Sequence, residues 1–389
     1  MARLDLAVVS YFSPSDFAGG AETIAWSEAE LLSRSRRVAF MSTSPPVQAP
    51  FDQLRLGAWT RRWSLIREDR SWIELAVFHL LSLFNPAVFL ASLVVLARAR
   101  PRIVHTHNLF ALSPAIWLAA RLTGAKVVHT HHDLWLLCER ATMTNPDGTP
   151  CHEKTPTCRV CQWLRAPKRG QLALVSAEIF PSSWLKSRLR RRGAIIRSFT
   201  RLFSRSSAPR EGRIVYIGAL TPHKGVKILI EAFTKASGSS PVALELVIAG
   251  AGPLAAAVAD AARVTANITY VGLVDADVRD NLLREASAVV IPSTWSEASP
   301  VVFFEALAAG LPVIASDIGS LSELATFGNT ILVPPGDADA LVDAIRQIAE
   351  NGERTAQLRS AARRNLAVAS PERFRQEVEE LLDRVSSEQ

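Results

Sequence analysis

Cysteine is scarce in this chain, with four in 389 residues: Cys138, Cys151, Cys158 and Cys161, all packed into one segment together with His152. No disulfide framework can therefore staple the chain as a whole. A long uninterrupted apolar run is also missing. The most apolar stretch, residues 72–97, carries Glu74 and His79, and Asn85-Pro86 cuts it in two. Each piece falls short of the roughly 20 apolar residues that span a bilayer. Asn85 as cap and Pro86 as first helical residue instead predict a helix ending near residues 98–101. The first ten residues are too short, and too interrupted by Asp5, for a signal peptide. They read as a buried strand, and the expectation is a cytoplasmic protein. No short-period solenoid repeat is visible.

What is present suits a packed α/β protein. The apolar fraction is 48% and the mean hydropathy +0.14, which excludes disorder, and 389 residues are enough for two cores. Strand-like runs at residues 5–10, 37–42, 103–106 and 126–130 alternate with helical patterns at 21–33 and 111–122. The same alternation resumes at 213–218, 227–235, 244–249, 253–263, 268–271, 277–285 and 288–292. It predicts parallel sheets covered by helices. Residues 197–211 have little periodicity and mark the hinge, and residues 371–385 form an amphipathic helix. Net charge is +7 with a pI near 9.6. Much of the basic charge lies between Lys186 and Arg213: Arg188, Arg190, Arg191, Arg192, Arg197, Arg201, Arg205 and Arg210. Such a run either solvates a linker or attracts an anionic lipid surface. Only Phe199 and Phe203 interleave with it, so nucleic acid ranks below a membrane and is not an expected partner.

The segment with the most chemistry is Glu297-Ala-Ser-Pro-Val-Val-Phe-Phe-Glu305, two carboxylates eight residues apart across a loop-to-helix junction. Ser299 is a good N-cap and Pro300 a good first helical residue. Glu297 then precedes the helix, and Glu305 lies in its second turn and leans back toward the N-terminus. Between them are unpaired backbone N–H groups and the positive end of the helix dipole, which favour phosphate. Two hydroxyl acceptors flanking a phosphate site suit a nucleotide-sugar.

Several runs carry a resemblance to a known family. They are Val289-Val-Ile-Pro-Ser-Thr-Trp-Ser-Glu297, residues 300–310, Pro312-Val-Ile-Ala-Ser-Asp317 and residues 319–323. This region resembles the C-terminal half of the retaining family-4 glycosyltransferases of GT-B fold, in an exopolysaccharide-type version. The resemblance implies α/β architecture with two Rossmann-like domains facing across a cleft. An acceptor-side domain would occupy residues 1–200 and a donor domain residues 201–370. The terminal helix, residues 371–389, often crosses back to the first domain in that family. The resemblance also implies that Glu297 contacts the donor sugar and Glu305 the ribose, with Ser299, Pro300 and Val301 at the donor phosphates. Gly19-Gly20 with Glu22 resembles the Gly-Gly-x-Glu loop that faces the donor diphosphate. Ile214-Val-Tyr-Ile-Gly218-Ala-Leu-Thr-Pro-His-Lys224-Gly225 resembles the strand, turn and Lys-Gly pair at which a lysine neutralises the departing diphosphate. The arginine usual after Gly218 is Ala219, and His223 is a weak candidate to replace it.

Five of eight histidines cluster at His105, His107, His129, His131 and His132. Alternation puts His105 with His107, and His129 with His131, on one face of a strand. A metal site is conceivable. The resemblance favours a substrate contact, with His132, just before Asp133, near the reacting sugar. Cys158-Arg-Val-Cys161 has metal-knuckle spacing, while Cys138 and Cys151 stand further apart. A structural zinc or iron–sulfur centre and simple thiols both remain open, and no catalytic role falls there. Asp275-Ala-Asp277 and Asp337-Ala-Asp339 sit where helices begin and read as caps rather than metal ligands. The expected reaction moves a sugar from a nucleoside diphosphate to an acceptor hydroxyl with retention, without a cofactor. In the resembled family the leaving phosphate is thought to help deprotonate the acceptor. The alternatives are a nucleotide-sugar epimerase of the same architecture or a Cys/His metal protein that binds nucleic acid. The acceptor is expected to be lipid-linked, at the inner face of a membrane; the competing view is a small soluble acceptor, with the arginines only solvating a hinge.

Overall fold

The computed structural model describes residues 3–14, 19–57, 72–109, 112–138, 141, 143, 151, 165–201 and 209–387. In the first half, short apolar runs form β1 (Leu6–Val9), β2 (Val38–Ser42), β4 (Ile103–Thr106) and β5 (Lys126–Thr130), joined by β3 (Asp52–Arg55), β6 (Ala177–Phe180) and β7 (Ala194–Ile195). All pair in parallel in the order β3-β2-β1-β4-β5-β6-β7, with Leu6 opposite both Val38 and Ile103. The second half forms β8 (Arg213–Ile217), β9 (Glu245–Ala249), β10 (Ile268–Gly272), β11 (Ala288–Ile291), β12 (Val313–Ser316) and β13 (Thr330–Val333). These are again parallel, in the order β10-β9-β8-β11-β12-β13. The strand order turns back between β1 and β4, and between β8 and β11. In open α/β sheets ligands bind in the crevice beyond the carboxyl ends of such strands.

Both sheets are covered on both faces, so their strands read as continuous apolar runs. Side-chain alternation sends Ala7, Val9, Val104 and Val127 into one core with Trp117, and Leu6, Val8, Ile103 and Val128 into another with Ile24 and Leu32. The second sheet divides likewise, Ile214, Leu246, Val290 and Ile314 on one face and Val215, Val247, Val289 and Val313 on the other. The helix Pro371–Ser387 buries Phe374, Val378, Leu381, Leu382 and Val385 in the core beside β1. Each such side chain contributes about 1.5–3 kcal/mol of gross transfer free energy. Phe374 stacks on Phe199 with ring centroids 4.2 Å apart, and Arg36 pairs with Asp383 at 2.7 Å. The last helix of the chain is therefore part of the first sheet's packing.

Residues 72–97 fold as two helices, Trp72–Leu83 and Pro86–Ala99. The Asn85 side chain accepts from the N–H groups of Ala87 and Val88 at 3.1 and 3.2 Å, and Arg100 closes the second helix in a left-handed turn. The window Val77–Ala99 has the length and mean hydropathy (2.2) of a spanning helix. It is broken at the Asn85 cap, however, and helices of 12 and 14 residues reach only about 18 and 21 Å against a hydrocarbon core of about 30 Å.

Other expectations need correction. The helix expected over 111–122 is Ala115–Leu122, with Pro114 at its N-cap. The helix expected to start at Pro300 behind a Ser299 cap is Val301–Ala308. Pro300 is itself the N-cap, extended at ψ 120°, and the Ser299 hydroxyl lies 3.2 Å from that of Ser198 instead of capping the helix. Part of the arginine run is ion-paired, while Arg190 and Arg192 are exposed. Arg191 pairs with Glu178, Arg197 with Glu323, Arg201 with Asp280, Arg210 with Glu285, and Arg213 with Glu285 and Glu245. Arg205 lies outside the described residues.

Candidate active site

The residues singled out in the second half converge beyond β8 and β11. Glu297 leaves the end of β11 on a loop, and its carboxylate is buried. Lys224 Nζ donates to Glu297 Oε1 at 2.7 Å, Ser293 Oγ at 2.6 Å and Trp295 Nε1 at 2.9 Å. All three reach Oε1, and no described residue bonds Oε2. Burial pushes the Glu297 carboxyl up, but Lys224 and the two neutral donors outweigh it and hold the group below the usual carboxylate range. Glu297 is therefore ionised, and its second oxygen is available to a ligand.

Two glycines make this possible. Gly225 has φ +73°, and a Cβ there would stand 1.8 Å from the carbonyl oxygen of Pro292, so the Lys224 turn closes on the end of β11 only with glycine. Gly319, at φ +64°, lies so close that a Cβ would meet the Glu297 backbone at 2.6 Å, and Ser320 N donates to Glu297 O at 2.8 Å. The Lys224 ammonium also sits 4.9 Å over the Trp295 ring, and His223 packs on that ring at 4.7 Å. Burial and the adjacent Lys224 push the His223 imidazole below its ordinary value, and Glu297 works against that.

Glu305 is the fifth residue of the helix Val301–Ala308 and is buried beside Arg279, whose guanidinium is 3.2 Å away. Burial raises its carboxyl, and Arg279 works against that. Gly218, Lys224, Ser293, Glu297 and Pro300 line one recess. Pro300 offers no side-chain cap bond to the helix that follows. The expected caps elsewhere are present: Asp275 accepts from Val278 N and Asp337 from Ala340 N, both at 2.9 Å.

The first half supplies the opposite wall. Gly19 and Gly20 start the helix Gly20–Leu32, and a Cβ on Gly20 would stand 3.3 Å from Val301 Cγ2 of the other half. The same wall is tied across by Ser182 Oγ to Ala298 O at 2.7 Å and by Trp184 N to Glu323 at 2.9 Å. Glu22 is buried and accepts from Asn108 Nδ2 at 2.8 Å. His105 and His107 lie together with rings 4.4 Å apart, as do His129 and His131 at 4.5 Å. These four are fully buried, with His129 bonded to Thr106 and His131 to Glu178. Only His132 is half-buried. Burial, with His107 next to it, pushes its imidazole well below the ordinary value, so it is neutral at pH 7. Asp133 is pushed up to about 6, mainly by burial, with the nearby Glu22 adding to the effect.

Of the cysteine segment, Cys138 and Cys151 are half-buried, and Cys158 and Cys161 lie outside the described residues, as does His152. Sequence reasoning missed the partners: Ser293 and Trp295 on Glu297, Arg279 on Glu305, and Glu28 behind the histidines. Trp295 and Ser293 stood within the run that carried the resemblance. Glu28 had a signal of its own, a charge on the helix stripe Ile24, Glu28, Leu31 and Leu32, all of which are buried.

A buried acid–lysine pair at a helix N-terminus, facing a glycine loop across two doubly wound sheets, defines a two-domain transferase that handles an anionic donor. Residues 18–198 match the model of Glycosyltransferase Family 4, and residues 200–365 that of Glycosyl transferases group 1. Between them these account for the chain from 18 to 365, and the chain belongs to the GT-B glycosyltransferases of that family and group. A phosphatidyl-myo-inositol mannosyltransferase of Mycobacterium tuberculosis is 27% identical over 276 residues, covering 69% of this chain and 70% of the relative. Sucrose-phosphate synthase from Thermosynechococcus elongatus superposes with a TM-score of 0.75 at 20% identity over 98% of this chain and 99% of its own. HepE of Anabaena, solved in complex with UDP-glucose, gives 0.67 at 18% identity over 98% and 100%. Neither the epimerase nor the nucleic-acid reading finds support among these matches.

Proposed function

We propose that this enzyme moves a sugar from a nucleoside-diphosphate sugar to an acceptor hydroxyl with retention of anomeric configuration. The observation that carries the reading is the ionised, buried Glu297 held by Lys224 in one recess with Pro300, ahead of the helix Val301–Ala308 whose first residue faces Gly20. A diphosphate arriving at that helix end, lined by Ser299, Pro300 and Val301, competes with Glu297 for Lys224. Once there, Lys224 stabilises the negative charge that develops on the leaving phosphate. Glu297 is then left to hold donor-sugar hydroxyls, Glu305 to accept from the ribose, and His132 to contact the reacting sugar. Gly218, which lines the same recess at the end of β8, faces the nucleotide on this reading. Catalysis needs no divalent metal on this reading, and a zinc or iron–sulfur centre at Cys138, Cys151, Cys158 and Cys161 would be structural. A thermal-shift panel of UDP-glucose, GDP-mannose and dTDP-glucose tests the donor site. A donor at 100 times its Kd stabilises the fold by about 2.7 kcal/mol. A rise in Tm that disappears in Glu305→Ala supports the assignment, and no rise with any of the three sinks it.

The acceptor is read as lipid-linked, the enzyme sitting on the inner face of a membrane during polysaccharide, glycolipid or other glycoconjugate synthesis. Support comes from the helix pair Trp72–Leu83 and Pro86–Ala99, which leaves Leu80 66%, Leu90 59% and Val94 48% exposed. The curated mannosyltransferase that the chain resembles has a phosphatidylinositol in its name. The paired arginines lend the membrane reading less than their number suggests, so the apolar helix pair is the docking element. Co-sedimentation with phosphatidylglycerol vesicles at low salt should show binding that Leu90→Asp reduces. Absence of binding, with full activity on a soluble acceptor, overturns the membrane reading.

A further inference from the structure

We propose that Glu28, acting through His107, is a positioning residue for His132: it sets the imidazole in the tautomer with its proton on Nε2, keeping the Nδ1 lone pair for a sugar hydroxyl. The proposal rests on the placing of His132 at the reacting sugar. Glu28 is fully buried, with Oε1 2.6 Å from His105 Nδ1 and Oε2 3.4 Å from His107 Nε2. His107 Nδ1 in turn lies 3.0 Å from His132 Nε2, the two rings stacked with centroids 5.2 Å apart. The chain of contacts runs from a sealed carboxylate to the one half-buried histidine of the cluster.

The proton positions follow in sequence. His105 and His107 hold the Glu28 carboxyl below the usual carboxylate range against its burial, and the field of that carboxylate favours protons on the nitrogens that face it, His105 Nδ1 and His107 Nε2. Burial pushes His107 below its ordinary value, so it is neutral, and a proton on Nε2 leaves Nδ1 as an acceptor. His132 Nε2 must then donate to it. His132 is neutral too, so its Nδ1 carries a lone pair, and no described residue bonds that atom. Neither Glu28 contact has the alignment of a full hydrogen bond, so the coupling is carried by the field of the carboxylate. A buried carboxylate satisfied so poorly is costly to the fold, which is reason to look for its role in the reaction.

Glu28, His105 and His107 also have the composition of a metal site, with all ligand atoms within 4.8 Å of one another. The 2.6 Å between Glu28 Oε1 and His105 Nδ1 argues against it. Two ligands of a tetrahedral zinc, each about 2.0–2.1 Å from the metal, stand about 3.3 Å apart. The separation observed leaves no room for a metal shared between these two atoms.

The test uses the full chain labelled with 15N-histidine. Nitrogen shifts of His132, assigned by comparison with His132→Phe, should report the Nε2–H tautomer, and Glu28→Gln should move it to Nδ1–H or a mixture. With whichever donor of the panel raises Tm, Glu28→Gln should lower kcat about ten- to hundredfold and leave KM for the donor unchanged, as loss of an orienting partner does. An Nδ1–H tautomer in the wild type, or a tautomer and kcat unmoved by Glu28→Gln, overturns the proposal. If that variant does not fold, His107→Phe removes the acceptor while keeping Glu28 beside His105, and an unmoved His132 tautomer there is equally fatal. A tautomer shift alongside full activity in His132→Ala would instead sink the placing of His132 at the sugar.

Discussion

At the ends of β8 and β11 the buried Glu297 is met by an ammonium, a hydroxyl and an indole N–H, and it keeps one oxygen without a bond from any described residue. At the ends of β1 and β4 the buried Glu28 is met by two imidazoles, and the half-buried groups around it are a neutral His132 and an Asp133 pushed up to about 6. One topology has produced two crevices of opposite electrostatics. In the second domain charges are compensated in pairs, so a ligand enters by exchanging one ion partner for another, which suits a diphosphate. In the first, the buried Glu28 stays ionised, while burial keeps His132 neutral and raises Asp133, leaving an imidazole lone pair that suits an uncharged hydroxyl. The difference arises in the loops after the strands and not in the sheets, whose cores are built alike.

The comparison breaks most visibly at its two acids. Glu297→Ala strands Lys224, Ser293 and Trp295 without their common acceptor. Losing one charged hydrogen-bond partner costs roughly 1.5–3 kcal/mol, so turnover should fall about ten- to 150-fold. Glu305→Ala should instead raise the donor Kd by a similar factor with kcat less affected. Steady-state kinetics separate the two, and wild-type donor affinity and turnover in both variants would remove the donor site from this crevice. The turn that brings Lys224 to Glu297 is the next weak point. Gly225→Ala places a Cβ against the Pro292 carbonyl at a positive φ. It should cost at least about 2 kcal/mol of stability and loosen the lysine. Urea unfolding together with donor thermal shift measures both, and an unchanged midpoint would mean that the turn is not held as described.

How much of this was legible beforehand differs between the halves for the same physical reason. Glu297, Glu305, Lys224 and the two Asp caps sit in contiguous runs, where turn and helix rules act over a few residues. The helix start was misplaced by one residue because Pro300 serves as well in the extended N-cap as in the first turn. The strands β3 and β7 carried no apolar run, one being the exposed edge Asp52-Gln-Leu-Arg and the other two residues long. Arg279 beside Glu305 and Glu28 beside His107 are meetings of separate elements, which only the packed fold creates. The ion pairs of the arginine run were hidden for a related reason. Its acid partners, Glu178, Asp280, Glu285 and Glu323, are spread along the chain, so the sequence displays the cations together and the anions apart.

The first crevice can be sharpened by titration. Asp133 has its carboxyl raised from an ordinary 3.8 to about 6, so between those values the folded chain keeps a proton that the unfolded chain has lost. Stability from this group is therefore greatest below about pH 4, falls as pH rises through about 6, and is level above. Glu297 contributes with the opposite sign, its carboxyl being lowered in the folded state. Asp133→Asn keeps an oxygen for the Trp135 N–H, now bonded at 2.8 Å, and cannot ionise. Its Tm should exceed that of the wild type at pH 7 and the two should converge at pH 4. Parallel Tm curves over that range would show that Asp133 is solvated, and the contrast between the crevices would lose one of its members.

The smallest expected effect concerns metal. If the second crevice meets its anionic ligand with Lys224 and a helix N-terminus, the two Asp-x-Asp triplets have no part in it. Asp275 and Asp337 already give a carboxylate oxygen to a first-turn N–H, each at 2.9 Å, and both lie at helix starts away from the Lys224–Glu297 recess. Asp275→Ala and Asp337→Ala should each lower stability by about 0.5–2 kcal/mol, the cost of a lost cap, and leave transfer unchanged. Excess EDTA should likewise leave the wild-type rate unchanged. Abolition by EDTA with rescue by magnesium or manganese would show that a divalent cation shares the diphosphate with Lys224. Rescue by zinc alone would point to the cysteine segment, since thiolates and imidazoles are the ligands that zinc prefers.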